Sequence, residues 1–149
     1  MIARIAASHE ARPHLAEELV QEIYFAVWRA LPSFRGDSSL RSFIARIAGN
    51  RAASHVARAM RTPRMDEVDE NLPSSDRGPE VIAVVQDREA RLLAAVRELP
   101  LITRQIVTLT LEGFGPGEIA DSLGITANAV SIRLSRAKDH LRQRIGDHE

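Results

Sequence analysis

Gly117-Glu118-Ile119-Ala120-Asp121-Ser122-Leu123-Gly124-Ile125-Thr126 runs directly into Ala127-Asn128-Ala129-Val130-Ser131-Ile132-Arg133-Leu134-Ser135-Arg136-Ala137-Lys138. The first block reads as a short helix, Gly124 as a turn, and the second block as a helix rich in cations. Ile119, Ala120, Leu123 and Ile125 supply an apolar side. Val130, Leu134, Ala137, Leu141 and Ile145 answer it at steps of three and four residues, a buried helical stripe. The pattern predicts a helix-turn-helix, whose second helix enters a DNA major groove. Beyond Thr126, the start of that helix presents Asn128, Ser131, Ile132, Arg133 and Ser135 toward base edges. Arg136, Lys138 and Arg142 suit phosphates. The alternative is a helical hairpin with a solvated basic face. The glycine turn and the local charge excess favour DNA.

A second cationic segment lies far upstream. Ser38 to Met65 contains no Asp or Glu but has Arg41, Arg46, Arg51, Arg58, Arg61 and Arg64. The net charge of the 149-residue chain is zero, yet charge is unevenly spread. Residues 1–61 hold nine arginines against five acids, +4; residues 62–83 hold two against six, −4. Residues 127–145 hold five cations against Asp139 alone, again +4. Phosphates are felt over about one Debye length, roughly 8–10 Å, so these local excesses matter more than the sum.

Helical periodicity continues through the rest of the chain. Leu15, Leu19, Ile23, Val27, Ala30 and Leu31 form one stripe, flanked by the acidic surface of Glu17, Glu18, Gln21 and Glu22 and stopped by Pro32. Residues 32–39 read as a loop, with Asp37, Ser38 or Ser39 capping the next helix. That helix is expected over Leu40 to Arg61. Residues 62–79, with Pro63, Pro73, Gly78 and Pro79 among acids, read as a linker. Helices are then expected over about Glu80 to Leu99 and from Pro100 to Glu112. Trp28, Phe34 and Phe43 are assigned to the core, as aromatics usually are. The fold class is therefore all-α: two small helical modules, 1–61 and 80–149, joined by an acidic linker.

The sequence also limits function. Without cysteine there is no disulfide framework, thiolate zinc site or cysteine nucleophile. The histidines lack ligand spacing, and no nucleophile–base pair or phosphate-cradling glycine loop is found, so no metal, cofactor or enzymatic role is expected. No apolar run reaches bilayer length and no secretory signal opens the chain, so no membrane insertion is expected and a cytoplasmic location follows by default.

Taken together these residues resemble the bacterial extracytoplasmic-function sigma factors, promoter-recognition subunits of RNA polymerase. Ala16 to Leu31 is similar to the family's polymerase-docking helix. Phe34-Arg35-Gly36-Asp37-Ser38-Ser39-Leu40-Arg41-Ser42-Phe43 and Arg46 to Arg51 are similar to its −10 segment. Leu99-Pro100, Arg104, Leu109, Glu112-Gly113, Glu118-Ile119-Ala120, Leu123-Gly124, Val130, Arg133-Leu134 and Arg136-Ala137 follow its region 4. The resemblance implies that Glu17, Glu18, Gln21 and Glu22 dock on the coiled coil of the polymerase beta-prime subunit. It assigns the opening −10 element to Asp37, Ser38, Ser39, Arg41, Arg46, Asn50, Arg51, His55, Arg58 and Arg61. The −35 duplex falls to Thr126, Asn128, Ser131, Ile132, Arg133, Ser135, Arg136 and Lys138. It further implies contact with the polymerase beta flap and an anti-sigma partner. Three departures stand out. The first helix is expected to be short or absent, Ala45 replaces a common aromatic, and Ser131-Ile132 stands where a cation followed by serine is frequent. The residues alone leave open a stand-alone helix-turn-helix regulator and a truncated sigma-like decoy for an anti-sigma protein.

Overall fold

The computed structural model describes residues 1–61 and 80–146, and over these it contains helices and no strand. In order they are α1 (Ile2–Ala7), α2 (Pro13–Ala30), a short 3-10 turn (Leu31–Ser33), α3 (Leu40–Arg61), α4 (Glu80–Arg97), α5 (Leu101–Leu111), α6 (Pro116–Leu123) and α7 (Ala127–Gly146). The expected linker, 62–79, lies outside the described residues. Helix ends follow local chemistry. Pro13 and Pro116 open α2 and α6, where a missing N–H loses nothing. Ser39 caps α3 by accepting the Ser42 N–H at 3.1 Å. Gly113 and Gly124 adopt positive φ, 90° and 68°, where the chain leaves α5 and α6.

The first module is built on α2. Leu19, Ile23 and Val27 pack with Ile5 and Ala6 of α1 and with Ala48 and Ala52 of α3. The first helix, expected to be short or absent, is present and short. Trp28 overturns its core assignment: it is 74% exposed, because it lies one residue past Val27, about 100° around the helix from the buried stripe. Phe34 and Phe43 do pair, with ring centroids 5.0 Å apart, but both are only half-buried.

In the second module, Ile106 and Leu109 of α5, Phe114, Ile119 and Ala120 of α6, and Val130 of α7 form one cluster. Val96, Leu99, Val107 and Ala137 form another, with Leu92, Leu134 and Leu141 against it. The apolar stripe of α7 is weaker toward its end than its spacing predicts: Ile145 is exposed. Ile102 is exposed as well, and the polar Thr103, Arg104, Gln105 and Thr108 are buried instead. The cause is tertiary: α5 is covered on several sides.

The two modules are packed together, which periodicity cannot show. Ala45 of α3 is buried in the cluster of Ile106, Leu109 and Phe114. Met1 packs against both this cluster and that of the first module. Arg97 Nε donates to the Ala7 carbonyl at 2.9 Å, and Gln105 Nε2 to the Gly49 carbonyl at 3.1 Å. Thr108 Oγ1 donates to the Arg104 carbonyl and lies 3.1 Å from Ser8 Oγ.

His9 and Glu10 are buried beside this seam. His9 Nδ1 lies 2.8 Å from the Ile5 carbonyl, which assigns its proton to Nδ1. Burial pushes the His9 imidazole down to about 4, with Arg104 nearby adding to the effect. Burial raises Glu10, but hydrogen bonds from Arg12 and His55 outweigh it and hold the carboxyl down to about 2. The unfolded chain therefore takes up a proton at His9 near pH 6.5, and the folded chain does so only near 4. Stability is fully present above that window and falls as pH drops through it, by roughly 3 kcal/mol. Glu10 adds a second loss between about 4.5 and 2. Thermal melts at pH 7, 5.5 and 4 are expected to show a falling Tm, and His9→Asn to flatten that first decline.

Candidate nucleic-acid interface

The helix-turn-helix is assembled as its residues require. Gly124 in the left-handed region turns the chain, and the Ile125 N–H closes back to the Ala120 carbonyl at 3.1 Å. Thr126 Oγ1 accepts the Ala129 N–H at 3.0 Å, so Thr126 caps α7. Buried Ile119, Ala120 and Val130 fix the crossing. This leaves Asn128, Ser131, Ile132, Arg133, Ser135, Arg136 and Lys138 all exposed on α7. They do not share one strip. By helical rotation, Asn128, Ile132 and Ser135 face directly outward, Ser131 and Lys138 lie to one side, and Arg133 and Arg136 to the other. There Ile132, Arg133 and Arg136 line a groove of about 520 Å³ with Glu98, Pro100, Thr103 and His140.

The upstream set is more dispersed than its spacing implies. Asp37, Ser38 and Ser39 are exposed on the loop entering α3. Arg41 sits over the Phe114 ring, 4.7 Å from its centroid, and donates to the Glu112 carbonyl. Arg46 donates to the Asp121 carbonyl at 3.3 Å, and the exposed Asn50 lies beside it. His55 Nε2 donates to Glu10 Oε2 at 2.7 Å, and Arg58 meets Glu22 at 3.4 Å. Arg51 and Arg61 are exposed. Arg41 and Arg46 thus turn to the second module, and His55 and Arg58 to the acids of the first.

Glu17, Glu18, Gln21 and Glu22 are all exposed on α2. Beside them the structure exposes Tyr24 at 60%, Phe25 at 58% and Trp28 at 74%, with Arg29 stacked over Phe25 at 4.7 Å. Gln21, Phe25 and Trp28 recur at i, i+4 and i+7, so acids and aromatics form one continuous outer face. Sequence reasoning missed these aromatics as surface residues. Their offset from the Leu19, Ile23, Val27 stripe was the signal that could have found them.

The chain matches Sigma-70 region 2 over residues 1–62 and Sigma-70, region 4 over residues 89–141. The RNA polymerase sigma-H factor of Pseudomonas aeruginosa is 30% identical over 141 residues, 88% of this chain and 72% of that protein. The ECF RNA polymerase sigma-E factor of Escherichia coli strain K12 is 29% identical over 138 residues, 86% of this chain and 72% of that one. Among solved structures, the sigma factor RpoE in complex with the anti-sigma factor NepR, from Bartonella quintana, is similar with a TM-score of 0.73 at 20% identity. The match covers 97% of this chain and 89% of that one. CnrH, in complex with the cytosolic domain of CnrY, gives 0.68 at 23% identity, over 99% and 82%. Both regions in this order, on a helical frame ending in a helix-turn-helix and with a relative at 30% identity across most of the chain, place the protein in the extracytoplasmic-function sigma factor family.

Proposed function

We propose that this chain binds core RNA polymerase and directs it to promoters, the first module capturing an opening −10 element and the second reading a −35 duplex. The observation that carries the reading is the pairing, in one chain, of the exposed acidic–aromatic face of α2 with the exposed polar and cationic start of α7. Exposed aromatics beside charges are what protein interfaces are made of, and a lone DNA-binding domain has no need of them. Glu17, Glu18, Gln21 and Glu22 dock on a basic surface of the polymerase, with Phe25 and Trp28 as apolar anchors. Asp37, Ser38 and Ser39 with Arg41, Arg46, Asn50, Arg51, His55, Arg58 and Arg61 serve the −10 strand. Asn128, Ser131, Ile132, Arg133, Ser135, Arg136 and Lys138 serve the −35 duplex, with Thr126 fixing the helix that carries them.

The contribution is binding energy rather than bond chemistry, and the polymerase performs the catalysis. Two weak DNA sites held on one polymerase gain by effective concentration. The boundaries proposed are 1–61, 62–79 and 80–149, in a cytoplasmic protein. An anti-sigma protein is a proposed partner; the similar solved structure of the sigma factor RpoE is a complex with the anti-sigma factor NepR.

Run-off transcription with core polymerase on a promoter library tests the reading. Promoter-selective transcripts that require this chain are expected, and equal transcription with and without it contradicts the proposal. Within that assay, Arg133→Ala is expected to weaken −35 duplex binding by about 1–3 kcal/mol if it reads a base. Fluorescence anisotropy on cognate and unrelated duplexes decides the role, because an equal loss on both makes Arg133 a phosphate contact. Its flank position beside Pro100 and Thr103 makes the comparison informative.

A further inference from the structure

We propose that the groove between the start of α5 and the flank of α7 is a binding site for a phosphate ester, held by the uncapped N-terminus of α5, the Thr103 hydroxyl and the guanidinium groups of Arg133 and Arg136. The site lies beside the outward strip of α7 that reads bases and does not depend on the polymerase reading.

Helix α5 begins at Leu101 with Pro100 before it, and no side chain caps it. Its first backbone bond runs from the Arg104 N–H to the Pro100 carbonyl at 2.8 Å. The N–H groups of Leu101, Ile102 and Thr103 therefore have no intrahelical acceptor, and the helix dipole adds partial positive charge there. A helix start in that state favours an anion.

Thr103 points the same way independently. It is 8% exposed, yet its hydroxyl has no hydrogen bond among the described residues. Two other threonines of α5 behave differently: Thr108 and Thr110 each donate to the carbonyl four residues back, at 2.8 Å. For Thr103 that carbonyl belongs to Leu99, and it accepts from Arg104 Nη2 at 3.1 Å. The Thr103 side chain lines the groove instead. Leaving a buried hydroxyl unpaired is unfavourable, and a ligand oxygen in the groove removes the cost.

On the α7 side, Arg133, Arg136 and His140 fall at i, i+3 and i+7 and line the same groove. Neither arginine has an ion-pair or hydrogen-bond partner among the described residues, whereas Arg142 pairs with Asp139 and Arg144 with Glu98. Glu98 is the acid that lines the groove, and Arg144 holds it at 2.8 Å. Ala129 and Ile132 make part of the wall apolar, where a sugar can lie. Two unpaired guanidinium groups, a hydroxyl and a helix start around one space of about 520 Å³ match the several oxygens of a phosphate and exceed the two of a carboxylate. A DNA backbone and a free nucleotide share that chemistry.

Heteronuclear NMR of the full chain tests the site, with inorganic phosphate as the first probe, exchanged for chloride at constant ionic strength. Phosphate is expected to shift the amide signals of Ile102 and Thr103 saturably and to leave those of Gln21 and Ser54 in place. Thr103→Val, close to threonine in shape, removes only the hydroxyl and is expected to weaken phosphate binding about five-fold, with Thr103→Ser restoring it. A short random-sequence duplex is the second probe. Displacement of phosphate by the duplex, with the same two amides shifted, assigns the site to a DNA backbone. Phosphate retained beside bound duplex assigns it to a free phosphate ester. Ile102 and Thr103 signals that respond to neither probe overturn the site, and that result needs no variant. Equal phosphate binding by a folded Thr103→Val chain and by the unaltered chain overturns it as well, since arginine charge alone then accounts for the binding. Polymerase enters none of these steps, so failure of the site and failure of the proposed function are read apart.

Discussion

Trp28→Ala is expected to weaken binding to core RNA polymerase by about 2 kcal/mol or more, roughly thirty-fold, with thermal stability almost unchanged. The two readouts separate because Trp28 is 74% exposed. A buried tryptophan cut to alanine destabilises a fold by about 3–5 kcal/mol; one already in water does not. An exposed aromatic on the same helix face as Phe25 and Gln21, one and two turns before it, instead has the features of an interface anchor, which truncation removes from the complex alone. The acids around it act through charge. Glu18→Lys with Glu22→Lys is expected to abolish the complex at physiological salt, since it reverses two charges facing a basic partner. Glu22 also meets Arg58 at 3.4 Å, but that pair is exposed and worth little to the fold. Surface-plasmon titrations with core polymerase, run beside thermal melts, check both. Unchanged affinity removes the docking assignment; a collapsed Tm makes Trp28 a structural residue after all.

Ile106→Ala is expected to produce the largest loss of stability, about 2–5 kcal/mol. Ile106 is fully buried on α5, among Ala45, Leu109, Phe114, Ile119 and Val130. This cluster joins the helix-turn-helix to the seam, so the cavity cannot close by moving one surface helix. Against a total near 5–15 kcal/mol for a domain, the loss is large enough to unfold part of the population at growth temperature. Urea titration followed at 222 nm measures it. DNA binding is expected to fall with the folded fraction, and a loss below about 1 kcal/mol would mean that the site is loosely packed.

These two residues also show where sequence reading works and where it stops. Helix positions are legible because repeats of three and four residues and the Pro and Gly punctuation are local. The span of α3, Leu40–Arg61, and the turn at Gly124 both follow from neighbouring residues. The α7 candidates are exposed as expected, because a buried stripe on one side fixes what lies on the other. Trp28 was misplaced by a habit of residue type, although its helical offset pointed outward. The seam was illegible for a different reason. Gln105, Thr108 and Arg104 look like solvent residues, and only packing from α1, α3 and α4 covers them. Arg41, Arg46 and His55 then take partners as far as 75 residues away, which no local pattern encodes.

The most direct test of the central claim is co-elution of this chain with bacterial core RNA polymerase on a sizing column. A stoichiometric complex that survives gel filtration is the predicted result. A folded chain that elutes alone beside unaltered core polymerase would contradict the account.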